Sequence, residues 1–414
     1  MSTTRMLQTV VVKFGGSVLE DEKAINQVAS LIKETTGRGL GVVAVVSAMK
    51  GVTDQIMALS KRENPEIAPH LLDELLSSGE KTSARLVAAA LASFGLNSVV
   101  VDPDTPYWPV ITDDKHLDAN PLVEESRART QQLLVPLLSS GKIPVVCGFL
   151  GKTRGGKTTT LGRGGSDTTA VLLGNCLGAS EVILVKDVEG VYSSDPNKVT
   201  NPQFIESLNG EEAELLAAGG AKFLHVKALR YQSSGLRIRV TSLERLDSGT
   251  VIKGELSPVQ VEILGEGVSM ITFVGLNPQK AESIIRAVRA VKDAHGDLLA
   301  LSLEANSAIF YVGGGRNILD AVHSVLVEEK IGKAVSEFPK LSMITVKGAA
   351  LETEKGVVQR ITAPLAESSI NLYGVVTILS SVRVFVSAEQ APRAFALVKE
   401  TMMGPEGDGG QVSR

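Results

Sequence analysis

Two glycine-rich segments hold the residues best placed to do chemistry. In KFGGS (13–17) a lysine closes an apolar run and is followed by Gly15, Gly16 and Ser17. Glycines there let backbone N–H groups approach a phosphate closely, and the Lys13 ammonium adds the charge. The alternative is an ordinary strand-to-helix turn with a snorkelling lysine. The segment TTTLGRGGSDTTAVLLG (158–174) sets Arg163 between glycines and places Ser166 and Asp167 at the mouth of an apolar helix. Ser or Asp at such a point is an ordinary N-cap. Gly162, Gly164 and Gly165 around an arginine point instead to a loop where a carboxylate ligand meets a guanidinium fork and free helix N–H groups.

Further segments are ambiguous singly. VSAMKGVTDQI (46–56) offers Ser47 and Thr53 at the end of a strand. In LLSSGEKTSARLVAAAL (75–91), Ser77 and Glu80 make an S-x-x-E capping box, which accounts for Glu80 without a ligand. VKDVEGVYSSDPNKV (185–199) follows another apolar run; Asp187 with Gly190 fits one turn, and Asp195-Pro196 a second. Tyr192, flanked by Lys186 and Lys198, could hold an adenine nucleotide. GGAKFLHVKAL (219–229) puts Lys222 on a glycine-introduced helix, as a second phosphate contact or a solvated lysine. GKTRGGKT (151–158) matches the Walker A pattern, yet a P-loop must run straight into a helix. The next residues, TTLGRGG, are β-branched and glycine-broken, so 151–160 reads as a hairpin or a loop.

These segments need a scaffold, and the pattern supplies one. Apolar runs at 9–14, 41–47, 96–102, 143–149 and 181–187 alternate with helical periodicity at 21–35, 69–93, 121–139 and 167–178. Continuous apolar strands separated by helices indicate an α/β fold, a mainly parallel sheet sandwiched by helices, over residues 1–252. On such sheets ligands gather at the carboxyl ends of strands, where the segments above fall. At 414 residues the chain exceeds one ordinary core, so two or three domains are expected. Residues 253–266, KGELSPVQVEILGE, read as a linker. Beyond it SMIT occurs at 269–272 and again at 342–345. Each copy opens a strand, helix, strand, strand, helix order, the ferredoxin-like βαββαβ pattern present twice, at 266–335 and 340–403. The tail 404–414 reads as flexible.

Bulk properties exclude several classes. A net charge of −4 gives no reason to expect nucleic acid or an anionic membrane as partner. The 2 cysteines, Cys147 and Cys176, sit in apolar stretches and read as buried thiols without a disulfide framework. The segment MSTTRMLQTVVVKFGG lacks the apolar core of a secretory signal, and no apolar run approaches the ~20 residues that span a bilayer. The expected location is cytoplasmic.

Taken in order, KFGGS, VSAMKGVTD, SSGE, GFLG, TTLGRGGSD, KDVEGVYSSDP and GAKFLH resemble the motifs of the aspartate kinases of the amino-acid kinase family, over nearly the whole chain. The resemblance implies that ATP transfers its γ-phosphate to the β-carboxylate of L-aspartate, giving 4-phospho-L-aspartate, the first step towards lysine, threonine and methionine. Lys13 and Lys222 would contact the transferring phosphates and Asp167 would orient them. Arg163, Gly164, Gly165 and Ser166 would hold the substrate carboxylate, and Glu80 its ammonium. Ser17, Ser47, Thr53 and Phe149 would complete the aspartate pocket. Gly15, Gly16, Lys186, Asp187, Tyr192 and Lys198 would serve the nucleotide. Mg2+ would ride mainly on the phosphates, with no metal ligands from the protein. The carboxylate nucleophile is already ionised at neutral pH, so no general base is required. The repeated modules would be ACT domains, either seats for a lysine or threonine effector or structural units of a homo-oligomer, a dimer or larger. KFGGSV is one residue shorter than the usual KFGGTS and closer to acetylglutamate-type relatives. Lys186, Asn197 and Val226 also depart from the usual pattern. The departures keep two alternatives open: a kinase for another amino-acid carboxylate, and a catalytically silent amino-acid-binding regulator.

Overall fold

The computed structural model describes residues 8–404, apart from 257, 276–280, 329, 349–350, 352–354 and 379. The chain forms two compact units, dividing after Leu256. In the first, β1 (Thr9–Phe14), α1 (Glu22–Gly37), β2 (Gly41–Val46), α2 (Val52–Glu63), α3 (Pro69–Ser93) and β3 (Ser98–Val101) alternate as the apolar runs require. There follow β4 (Ile111–Thr112), α4 (Val123–Ser139), β5 (Ile143–Cys147), β6 (Leu150–Thr153), β7 (Thr158–Thr160), α5 (Gly165–Leu177) and β8 (Glu181–Lys186). The unit closes with β9 (Val191–Tyr192), β10 (Phe204–Ile205), β11 (Ser207–Asn209), α6 (Gly210–Ala218), α7 (Val226–Leu229), β12 (Arg237–Ser242) and β13 (Thr250–Lys253).

Eight strands form one sheet in the order β11-β13-β12-β8-β1-β2-β5-β3. All its pairings are parallel except β12 with β13. VVVKF and GVVAVV are buried along their length because helices cover both faces. β1 lies between β2 and β8, so Lys13, Ser47 and Lys186 emerge side by side at the carboxyl ends of three parallel strands. The Walker-like segment is an antiparallel hairpin, β6 with β7, and does not enter a helix. Cys147 and Cys176 are buried free thiols. Among the described residues no helix is long and apolar enough to cross a membrane.

The second unit contains β14 (Gln260–Val274), α8 (Ala281–Asp293), β15 (Gly296–Glu304), β16 (Ser307–Gly314), α9 (Ile318–Glu328), β17 (Ala334–Lys347), α10 (Val357–Glu367), β18 (Gly374–Ile378), β19 (Ser381–Ser387) and α11 (Ala391–Met403). Here the linker reading is corrected: Gln260–Leu264 is strand. β14 and β17 are long antiparallel neighbours at the centre of one six-stranded sheet, β15-β16-β14-β17-β19-β18. The β14 register breaks between Leu264 and Val268. Beyond the break Val268–Val274 pair with β16, and after a second shift Met270–Val274 pair with Ala334–Phe338; before it Gln260–Leu264 pair with Met343–Lys347. Each repeat thus has its strands in the order second, third, first, fourth; the first repeat's fourth strand follows its own α9, whereas the second borrows Gln260–Leu264 from the start of β14. The two SMIT segments are the matching first strands.

Helices α8 and α9 pack on one apolar cluster containing Ile271, Phe273 and Phe310. Helices α10 and α11 pack on another, containing Ile344, Val346 and Val384, against which Val261 also rests. The borrowed strand therefore contributes core to the second repeat as well as hydrogen bonds. Val261→Asp sets an unpaired charge against that core and is expected to destabilise the second unit by about 2–4 kcal/mol. Calorimetry of the full chain should show the transition of this unit lowered and that of the first unit unchanged; equal shifts in both would contradict the shared-strand reading.

Candidate active site

The chemistry converges where β1, β8 and the first turn of α5 meet. Lys186 Nζ donates to Asp167 Oδ2 at 2.8 Å, and Lys13 Nζ stands 2.8 Å from Oδ1. Lys13 and Asp167 are only 5% and 4% exposed. Burial lowers the Lys13 ammonium to about 8, against the opposing pull of Asp167; the Lys186 charge pushes it the same way as burial. Burial by itself would raise the Asp167 carboxyl, but the two ammoniums outweigh it and hold the group well below the usual carboxylate range. Two cations, Lys13 buried and Lys186 partly so, share one anion and leave a net positive charge facing the cavity.

The sequence expectation of an N-cap at Ser166 or Asp167 is corrected. Gly164 is the N-cap, at φ 70°, with no side-chain cap, and both residues lie inside the first turn. That frees the Asp167 carboxylate for the lysines. Gly164 is required twice over, because a Cβ there would also lie 2.1 Å from His225 Cβ. The positive end of α5 opens on the cavity, since Gly164, Gly165, Ser166 and Asp167 all line it.

That cavity has a volume of about 610 Å³. Of the residues singled out in the sequence, it gathers Lys13, Ser47, Thr53, Glu80, Phe149, Arg163, Gly164, Gly165, Ser166, Asp167 and Lys186. Phe149 holds an uncommon left-handed backbone, φ 68°, with its N–H on Thr169 Oγ1 at 3.2 Å. Arg163 is exposed at the rim.

Glu80 is not part of a capping box. Its helix begins eleven residues earlier, at Pro69, and Ser77 Oγ bonds back to Glu74 O instead. The Glu80 carboxylate is buried, accepts the Ala48 N–H at 3.2 Å through Oε1, and leaves Oε2 without a partner among the described residues. Burial pushes its carboxyl up to about 7. An orphaned buried acceptor in a cavity is a seat for a cation or a donor.

Other expected residues fall elsewhere. Gly15, Gly16 and Ser17 border Lys13 but do not line the cavity; the Gly15 N–H is spent on Val185 O. A Cβ on Gly16 would stand 2.6 Å from Ala48 O, so that glycine brings the β1 and β2 ends together. Asp187 and Lys198 are exposed, and Tyr192 packs edge-on against Phe204, all outside the cavity. Lys222 is also outside it: the residue lies exposed in a turn, and the short helix starts only at Val226 after the His225 cap. Its charge acts on Asp195. Lys186, not Lys222, is the second lysine on Asp167. Gly162 of the Arg163 loop lines the cavity too, as do Ala48, Asp54, Met57, Leu76, Leu117 and Thr160, none of them a candidate from sequence. Leu76 was readable as the i−4 neighbour of Glu80 on α3; Leu117 carried no signal.

Among the described residues no group of three or more His, Cys, Asp or Glu could hold a metal ion.

Residues 8–242 match the amino acid kinase family. The aspartokinase of Mycolicibacterium smegmatis is 31% identical over 408 residues, covering 94% of this chain and 95% of that one. In structure the chain is similar to an aspartate kinase from Synechocystis, with a TM-score of 0.73 and 23% identity over 97% of this chain and 71% of that one. It is also similar to E. coli aspartokinase III in complex with aspartate and ADP, with a TM-score of 0.55 and 21% identity over 95% and 100% of the two chains. The chain belongs to the amino acid kinase family. Within that family it groups with the aspartokinases.

The Glu80 geometry fixes the sign of a stability effect. A carboxyl raised from 4.5 to about 7 in the fold is favoured neutral, so stability falls as pH rises through that window. Ionised Glu80 then costs up to about 3 kcal/mol in the ligand-free protein at pH 8. Glu80→Gln should melt higher than the parent at pH 8 and near it at pH 4.5. A difference of equal size at both values would contradict the assignment.

Proposed function

We infer that this enzyme, an aspartate kinase, transfers the γ-phosphoryl group of ATP to the β-carboxylate of L-aspartate, with the Lys13–Asp167–Lys186 cluster at the point of transfer. The observation that carries the reading is the pair of ammoniums fixed on one buried carboxylate, in a cavity also lined by the buried Glu80, whose Oε2 has no partner among the described residues. Phosphoryl transfer asks little covalent chemistry of the protein. It asks for alignment and for positive charge over the moving group. Lys13 and Lys186 supply that charge, and Asp167 prevents their mutual repulsion from driving them apart.

The acceptor is an amino acid held at both ends of its backbone. Glu80 Oε2 takes the α-ammonium, which returns the carboxylate to its ionised form. Arg163 with the start of α5 takes the α-carboxylate. Ser47, Thr53 and Phe149 fill in around the side chain, so that the β-carboxylate faces the lysines. That carboxylate is the nucleophile and attacks phosphorus in line with the departing ADP oxygen; it is ionised already and gives up no proton. Mg2+ supplies charge neutralisation on the phosphates when bound. The nucleotide base lies towards Asp187, Tyr192 and Lys198 on the loop after β8, with Lys222 near Asp195 as a further contact.

The repeats of the second unit are ACT-like, ferredoxin-like modules, supported by their strand order and by the duplicated SMIT strands. Lysine or threonine is their effector, and the modules join copies of the chain into a dimer or larger assembly. The product, 4-phospho-L-aspartate, feeds lysine, threonine and methionine synthesis in the cytoplasm.

Trapping acyl phosphate with hydroxylamine tests the reading. Aspartate should give hydroxamate, with glutamate and N-acetylglutamate, the acceptors that KFGGSV keeps in view, far behind. Absence of product from aspartate would overturn the assignment. Lys13→Met leaves Asp167 paired with Lys186, and should lower kcat by about 10²–10³-fold while changing the aspartate KM little. Turnover near the parent rate in that variant would remove the cluster from the mechanism.

A further inference from the structure

One wall of the cavity is built from a segment with no family motif, and its construction is costly. Leu117 lines the cavity with its backbone at φ 67°, a region that bulky side chains avoid. Such strain survives only where the surroundings over-determine it. Two buried charged residues do so, from opposite sides.

On one side Asp73 of α3, 0% exposed, accepts the Leu117 N–H at 3.2 and 3.3 Å on its two oxygens. The same carboxylate takes His116 Nδ1 at 2.7 Å and the Thr160 hydroxyl at 2.6 Å. On the other side Lys227 of α7, 7% exposed, donates to Asp118 Oδ1 and Ala119 O at 2.9 Å each. Its third bond, at 2.7 Å, goes to Leu161 O, at the base of the Arg163 loop. Ala119 N–H closes the arrangement on Thr160 O at 2.9 Å. Residues 116–119 are thus stapled to the wall bearing Thr160 and to the loop bearing Arg163.

A stretch this heavily anchored has more than a connecting role. We propose that Leu117 is a specificity-determining residue that sets the size of the acceptor, and that Asp73 and Lys227 are positioning residues that hold it. The proposal rests on the acceptor pocket described above. Leu117 shares the cavity with Glu80, Phe149 and Thr160, so a rigid branched side chain there limits how far an acceptor held at Glu80 extends. A fixed apolar wall discriminates a single methylene by about 10–200-fold. Aspartate and glutamate differ by one.

The test compares acyl-phosphate formation from aspartate and from glutamate in the full chain. Leu117→Ala should raise the glutamate-to-aspartate ratio of kcat/KM by about tenfold or more. Leu117→Gly, at ease at this φ, should do the same, so misfolding of the alanine variant cannot hide the effect. An unchanged ratio in a folded glycine variant would overturn the proposal while leaving the aspartate reading intact. A parent enzyme silent on aspartate would instead sink that reading itself. Lys227→Met should raise the aspartate KM about tenfold with the ATP KM unchanged, and Lys227→Arg should recover most of the loss. Asp73→Asn should show the same split. A lowered melting temperature with both KM values unchanged would reduce the two residues to structural roles.

Discussion

The interaction on which the structure turns is the Asp167 carboxylate held between two lysine ammoniums. Two like charges cannot stay together away from water without a counter-ion, and one carboxylate serves both. Each of the three groups arrives from a different element: Lys13 from the end of β1, Lys186 from the end of β8, Asp167 from the first turn of α5. The cluster therefore requires the β1–β8 pairing, the burial of both strands and the glycine N-cap that turns α5 over them. In return it concentrates positive charge at one point, at the carboxyl ends of two buried strands.

A second constraint shapes the acceptor side. Glu80 is buried with one oxygen unpaired among the described residues, which is unfavourable for the empty protein and useful only if something arrives to pair with it. The strained Leu117 and Phe149 belong to the same pattern. Stability is given up in several places around one cavity, and the deeply packed sheet beneath supplies the margin. The Lys227 ammonium, far from the phosphate-handling lysines in role, is spent wholly on holding loops.

Much of this was legible in the sequence, and the misses have physical reasons. Lys13 and Asp167 stood out because glycines follow or precede them at strand and helix ends. Glu80 was hidden by a local explanation: S-x-x-E spacing inside a helix looks like spacing at its start, and only the true start at Pro69 separates them. The residues after Gly219 and Gly220 have helical character that points to a helix at Lys222, whereas the His225 cap delays the helix to Val226. The strand Gln260–Leu264 was lost between Pro258 and Gly265. Its partner lies about eighty residues away in β17, and long-range pairing leaves no mark on local periodicity. Leu117 is fixed by a carboxylate 44 positions earlier and gave no sign at all.

All of this depends on Lys13 being a buried ammonium whose charge Asp167 keeps. The most direct measurement is an NMR titration of Cε-labelled lysines in the ligand-free enzyme, with the Lys13 signal assigned by its loss in Lys13→Arg. Lys13 should titrate with a midpoint at about 8. A midpoint near 10.5, the value of a lysine in water, would contradict it.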